Sequence, residues 1–389
     1  MQSIKTRASA IAAAFAAVSL FGSAASASDA TQADVATGSI ETVATFHDAM
    51  PTGVTVAPNG RIFVNYPRWG DDVPFTVAEL VDGKAVPYPD ANFNRADTAR
   101  PRDSLISVQS VVADANNRLW ILDTAAPGFT SPVAGGAKLV AVDLASNKVV
   151  KTIVFGPDVA LPTTYLNDVR FDLRQGKEGV AYITDSSTRG PGALIVVDIA
   201  SGKATRRLSG HASTSPDKDF IPVIDGQQLM MRPPGGKPTK LRVAADGIAL
   251  SPDGATLYFC PLSSRHLYSV PTAALRDPAI SDAALGKLVR DLGEKGASDG
   301  LEADVKGHVY AGDYEHHAVR RYDGRTWQTI ARSPEIQWPD TFSISTNGYL
   351  YFTVNQLDRQ PSFHEGRDLR QKPYKLLRMR IDAGPVLLK

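Results

Sequence analysis

The chain has 389 residues, 43% hydrophobic and 21% charged, so it has the apolar material for a large core and is not disordered by composition. Its 42 Lys+Arg against 41 Asp+Glu exclude the cationic surface that a nucleic-acid binder uses to displace counterions from phosphate. A single cysteine, Cys260, excludes an intrachain disulfide framework and any cysteine-rich zinc or iron–sulfur site, while 26 Pro and 31 Gly announce many turns.

Residues 1–27 read as a secretory signal, with Lys5 and Arg7 ahead of the apolar run AIAAAFAAVSLFG and the small-residue sequence Ala25-Ser26-Ala27 before Ser28. Its loss leaves 40 of the 42 basic residues against 41 acidic ones. Export with one cysteine suits a periplasmic or extracellular protein. Residues 28–38 are expected to be a flexible N-terminus, and no later segment has the roughly 20 apolar residues that span a bilayer. Residues 39–389 are expected to form one domain, and a monomer.

SIETVATF (39–46) is an alternating strand, and after it one pattern recurs six times. The copies are TGVTVAPNGRIFVNY (52–66), QSVVADANNRLWILDT (109–124), NDVRFDLRQGKEGVAYITD (167–185), DGIALSPDGATLYFC (246–260), DGLEADVKGHVYAGD (299–313) and DTFSISTNGYLYFTVN (340–355). Each pairs a short alternating strand with a second, aromatic- or aliphatic-rich strand across an Asn, Asp or Gly turn, the chemistry of two-residue hairpins with positive φ. A third strand follows most copies, as in KLVAVDL (138–144), and often a fourth, as in KVVKTIVF (148–155). Six repeats of four antiparallel strands predict an all-β, six-bladed β-propeller, whose radial closure protects strand edges. The last repeat lacks a fourth strand apart from the short PVLL, so residues 39–46 are expected to complete it beside 375–382 and close the ring. One helix-like stretch, 271–289, is broken by Pro278, and the insertions 67–107, 125–137 and 210–243 read as functional loops.

Alignment of the hairpins puts Thr52, Gln109, Asn167, Asp246, Asp299 and Asp340 at one equivalent position, where each innermost strand begins. Six polar residues there make an electronegative ring around one end of the axial channel, and the returning strands bring back a second layer that includes Asp185, Asp313 and Asn355. Local turn capping by Asp-Gly explains each residue singly but not why all six entries lack an apolar side chain. Such a ring suits a hard cation such as calcium or an ammonium group. No H-E-x-x-H, P-loop or dinucleotide-binding G-x-G-x-x-G is present, so no nucleotide or flavin is expected. His316 and His317 follow Asp313 as possible acid–base groups, and Trp69, Phe93, Tyr165, Phe220, Trp338 and Phe342 flank ring-facing segments where a flat ligand would stack.

The strings SVVADANNRLWILDTA (110–125), AYITDSSTRGPGALIVVDIASGKATRRL (181–208), DGIALSPDGATLYFCPLSSRHLYSVPTAALRD (246–277) and WPDTFSISTNGYLYFTVNQL (338–357) resemble the Yellow and major royal jelly protein family, in order and across most of residues 40–385. The resemblance implies a secreted six-bladed propeller with an axial ligand pocket, in a family whose insect members include dopachrome-converting and amine-binding proteins. The chain departs from the insect pattern in lacking its cysteines, Asn116-Asn117 standing before Arg118, and looks like a bacterial branch. More distantly it is similar to the gluconolactonase and regucalcin propellers, whose divalent metal sits at inner-strand entries. Asn167, Asp246 and Asp299 match three of those motifs, and Thr52-Gly53-Val54 stands where the fourth has Glu-Gly-Pro.

These readings converge on a small polar or cationic organic molecule bound on the axis and converted, by tautomerisation or lactone hydrolysis, with Asp299, Asp246 and Asp340 as candidate catalytic groups. Thr52, Gln109, Asn167, Asp185, Asp313 and Asn355 are the candidate ligand-binding residues, and Asn167, Asp246 and Asp299 would hold a divalent cation. The alternative is a non-enzymatic binding or carrier protein. A protein-interaction platform would need apolar rim loops, and these are mostly polar.

Overall fold

The structure, a computed structural model, describes residues 39–389; the expected signal (1–27) and flexible segment (28–38) lie outside the described residues. Six four-stranded antiparallel sheets follow one another, with inner strands Gly53–Val56, Val108–Ala113, Leu166–Asp172, Ala245–Leu250, Leu301–Ala303 and Pro339–Ile344. Each inner strand packs beside the next, and the sixth beside the first, so they encircle one axis as a six-bladed propeller. Among the described residues no helix is long and apolar enough to cross a membrane.

The last blade is closed by the N-terminal strand Glu41–Phe46, which pairs antiparallel with Tyr374–Arg380 from Glu41 opposite Arg378 to Phe46 opposite Tyr374. Hydroxyls then stitch the seam on the axis: Thr353 Oγ1 donates to the Thr52 carbonyl, and Ser343 Oγ accepts from Val56 N at 2.9 Å. The apolar faces of neighbouring sheets supply the core. Trp120, Ile183 and Ile195 meet between the second and third blades, and Tyr182, Phe259 and Leu285 between the third and fourth. The helix-like stretch is two short helices, Thr272–Arg276 and Asp282–Gly286, on either side of Pro278.

One expectation is corrected. The hairpins do not use two-residue loops. Ala57 N bonds Arg61 O, Asp114 N bonds Arg118 O, Asp304 N bonds His308 O and Ser345 N bonds Tyr349 O, enclosing three residues each. The third is left-handed in every case, Gly60 (φ 87°), Asn117 (58°), Gly307 (90°) and Gly348 (86°), the three-residue solution to matching strand twist. The short PVLL segment lies away from the last blade. Pro385 bridges Asp304 of the fifth blade, and Leu388 bridges Asp172 of the third and accepts from Leu173 N at 2.9 Å. The tail therefore crosses the end of the channel opposite the polar ring.

Candidate ligand-binding site

At the ring, four inner strands slip register: between Val108 and Ser110, Leu166 and Val169, Ala245 and Ile248, and Pro339 and Phe342. The slips fall on Gln109, Asn167, Asp246 and Asp340. A bulge breaks the ladder locally and re-aims a side chain, here at the start of four strands that circle the axis. Gly247 and Gly300, each following a ring aspartate, sit outside the left-handed region and serve another purpose. A Cβ on Gly247 would lie 2.4 Å from the Asp299 carbonyl oxygen, and one on Gly300 2.5 Å from that of Asp340. Glycine therefore lets one blade's backbone touch the next, with Gly300 N donating to Asp340 O at 2.9 Å.

All six ring residues are buried. Asp246 Oδ1 accepts from Asn167 Nδ2 at 2.7 Å, its Oδ2 accepts from Ser186 Oγ at 2.8 Å, and Asp299 Oδ2 accepts from Trp338 Nε1 at 2.8 Å. Asp340 Oδ2 accepts from Asn355 Nδ2 at 2.6 Å. Burial, then the Asp299 charge beside it, push Asp246 well above the usual carboxylate range, and the same two causes act on Asp340. Asp299 is also raised by burial, against the hydrogen bonds it receives from Asp246 and Trp338. Burial therefore works against ionisation of both carboxyls, and the charge of one raises the cost of charging the other.

Above this floor opens a cavity of about 610 Å³. Gln109, Asn167, Asp246 and Asp299 line it; Thr52, Asp340, Asp185, Asp313 and Asn355 are not among its lining residues. One wall is aromatic. Phe129 stacks on Tyr165 (ring centroids 4.4 Å apart, 24° between planes) and on Trp69 (5.1 Å, 22°). Trp69 Nε1 donates to Tyr165 OH at 2.7 Å, and Tyr165 OH to Gln109 Oε1 at 2.9 Å, which ties wall to floor. The opposite wall comes from the 210–243 insertion, through Met231 and Thr239–Val243, with Leu357 and Phe363 beside it. Phe129 (φ 57°) and Trp338 (φ 46°) both adopt left-handed backbone, which bulky residues seldom do, and both shape the site.

The second layer is engaged elsewhere. Asp185 accepts from Tyr165 N at 2.8 Å and pairs with Arg206 at 2.8 Å, and Asp123 accepts from Ile106 N and Ser107 N and pairs with the fully buried Lys138 at 2.7 Å. Each clamps the entry to its own blade's inner strand. Asp313 bonds His316 Nδ1 at 2.9 Å, a contact that raises the imidazole pKa against the opposing effect of partial burial, while His317 Nε2 meets Asp225 Oδ1 at 2.8 Å. In the first blade Asn65 reaches the ring, its Nδ2 donating to Thr52 Oγ1 at 3.0 Å. Of the flagged aromatics, Trp69 and Tyr165 line the cavity and Trp338 backs Asp299, stacked on Tyr314 at 4.0 Å. Phe93, Phe220 and Phe342 pack in hydrophobic clusters.

Sequence reasoning missed Phe129 and the residues beneath the ring. Arg170, buried, donates to the Val169 carbonyl and, across the axis, to the Leu301 carbonyl at 2.6 Å, and it pairs with Asp168 at 3.1 Å and Glu302 at 3.5 Å. Asp168 directly follows Asn167, and the LNDVRFD string carried both residues. Among the described residues no three His, Cys, Asp or Glu side chains group as a metal site. The floor offers two carboxyls and an amide.

The major royal jelly protein family model matches residues 106–385. "Protein yellow" of Drosophila erecta is 28% identical over 249 residues, 59% of this chain and 42% of the relative, and that of Drosophila pseudoobscura pseudoobscura is 29% identical over the same length. The chain thus matches less than half the length of these curated relatives. Among solved structures, a calcium-binding protein, regucalcin, from Agrobacterium tumefaciens superposes with TM-score 0.52 at 17% identity, covering 90% of this chain and 98% of that one. A luciferin-regenerating enzyme gives 0.55 at 13% identity, covering 90% and 99%, and a Xanthomonas campestris gluconolactonase 0.51 at 13%, covering 88% and 89%. These superpositions show the propeller fold, and the match over 106–385 shows the lineage: the chain belongs to the major royal jelly protein family.

Proposed function

We propose that the axial cavity binds a small, flat, polar or cationic organic molecule and that the Asp246–Asp299 pair converts it by proton transfer. One observation carries this reading: two buried carboxyls, Asp246 and Asp299, and a stacked aromatic wall face the same 610 Å³ cavity. A ring laid along Trp69 and Phe129 would present its polar edge to the floor. Asp299, ionised, is the base that removes a proton from the bound molecule, and Asp246, protonated, is the acid that delivers one to its carbonyl oxygen, which together make a tautomerisation. The same base acting on water would open a lactone, the activity named for the Xanthomonas neighbour.

A divalent cation such as calcium would be held by Asn167, Asp246 and Asp299. The donors are all oxygen, as a hard cation takes, and Asn167 would turn its Oδ1 inward in place of the Nδ2 it now offers to Asp246. Such an ion would polarise a carbonyl. A second reading, a carrier without turnover, is favoured by the saturation of the floor: both Asp246 oxygens and Asp299 Oδ2 already accept protein hydrogen bonds. The leader at 1–27 supports export of the protein, and intact-mass measurement of the exported form tests it by the loss of those residues.

The test of function is a thermal-shift screen with lactones, catechols and biogenic amines, with and without calcium, followed by recovery of each stabilising compound. A compound consumed by the wild type but not by Asp299→Asn supports conversion. One recovered intact supports the carrier. If no compound stabilises the wild type, the cavity is not a binding site for this class.

A further inference from the structure

The charged residues lining the cavity are four, and they are sorted. Asp246 and Asp299 are buried on the floor, whereas Lys240 and Arg242 come from the 210–243 insertion. Lys240 is already committed, its Nζ bonded to the Lys218 carbonyl at 3.0 Å and near Asp219 at 3.4 Å. Arg242 is exposed and makes no hydrogen bond or ion pair among the described residues, although its neighbours Leu241 and Val243 are buried against the satellite core of Phe220, Trp338 and Phe363. Two buried neighbours fix the backbone there, so the guanidinium is presented at the cavity mouth by a rigid segment and waits for an acceptor. The same cavity is lined by the aromatic wall of Trp69, Phe129 and Tyr165.

Resting on the proposed binding function, we propose that the cavity is bipolar and selects elongated aromatic molecules with opposite ends of opposite character: an ammonium or hydroxyl end for the Asp246–Asp299 floor and a carboxylate, or another planar anionic group, for Arg242 at the mouth. Charge alone argues for this order. The floor presents two buried carboxyls, which disfavour an anion there, while the exposed guanidinium offers two parallel N–H donors, the geometry that a carboxylate accepts. Arg242 is therefore a specificity residue, acting on which molecule enters and in which orientation.

The test is isothermal titration with matched probes: benzylamine against 4-(aminomethyl)benzoate, and 4-phenylbenzylamine against 4′-(aminomethyl)biphenyl-4-carboxylate, so that two spacings between the charges are sampled. The wild type is expected to prefer the carboxylated member of at least one pair by about fivefold, the size of an ion pair at a partly exposed mouth. Arg242→Glu is expected to invert that preference and Arg242→Lys to keep part of it. If the amines bind but neither pair shows a preference, or the preference survives Arg242→Glu, the mouth assignment is overturned and the binding function stands. If neither amine nor zwitterion binds at either length, both fall together.

Discussion

Replacing Gly300 by Ala tests whether the ring depends on backbone contact between blades. The added Cβ would sit 2.5 Å from the Asp340 carbonyl oxygen and 3.3 Å from Thr341 Cα, so that oxygen must retreat by about 1 Å to reach ordinary contact. The retreat stretches the 2.9 Å bond from Gly300 N and shifts both Asp299 and Asp340. Overpacking of this kind costs about 1–3 kcal/mol. With about 2.1 cal/mol/K of unfolding entropy per residue over roughly 350 residues, the midpoint should fall by about 1.5–4 °C. Affinity for any axial ligand should fall with it. Gly307→Ala is the control: its φ of 90° makes alanine costly, yet nothing lies within 4 Å and the turn is remote from the floor, so it should lose stability without losing affinity. Thermal unfolding and titration of both variants decide the matter. If Gly300→Ala melts within about 1 °C of wild type and binds normally, the Asp-Gly pairs are local turn chemistry and the close-approach argument is wrong.

Asp299→Asn should weaken benzylamine binding by about tenfold or more, since it removes the floor's charge, while slightly stabilising the ligand-free protein at neutral pH; unchanged affinity would remove Asp299 from the site. Asp246 and Asp340 have folded-state pKa values above their unfolded ones, so the native state holds protons that the unfolded chain has released. Their contribution to stability is full below the unfolded pKa and lost as pH rises through the folded pKa. Urea unfolding across pH 4 to 8 should therefore show Asp340→Asn gaining on wild type toward the alkaline end, and a constant difference would contradict the assignment. Trp338→Phe keeps a ring against Tyr314 but deletes the donor to Asp299, so the Asp299 pKa should climb further and any pH–rate profile should move upward. Trp69→Ala should cost about 0.5–1.5 kcal/mol in binding of a flat ligand, read by titration.

The blades were legible because a hairpin is local: alternation, turn residue and aromatic second strand all lie within about twenty residues, and counting copies then demanded closure by 39–46. The equivalent polar entries were legible for the same reason. What reshapes them was not. A bulge at Asn167 or Asp246 leaves no mark in an alternating pattern, because register is set by pairing with the partner strand and not by the strand's own residues. The Phe129–Tyr165 stack joins residues from two different blades, and Phe129 reaches it through a backbone conformation that sequence propensity disfavours. The second-layer carboxylates looked like ligands because register places them near the axis, but Arg206 and Lys138 come from the third and fourth strands of the sheet, which no hairpin alignment compares.

The tail that bridges Asp304 to Asp172, with Arg170 spanning the axis above it, turns the channel into a cup. A molecule on the floor must leave by the way it came, past Trp69, Phe129 and the 210–243 insertion. Every molecule that exchanges crosses the rim, so residence time and equilibrium affinity can be tuned by separate sets of residues, the rim setting the first and the ring the second.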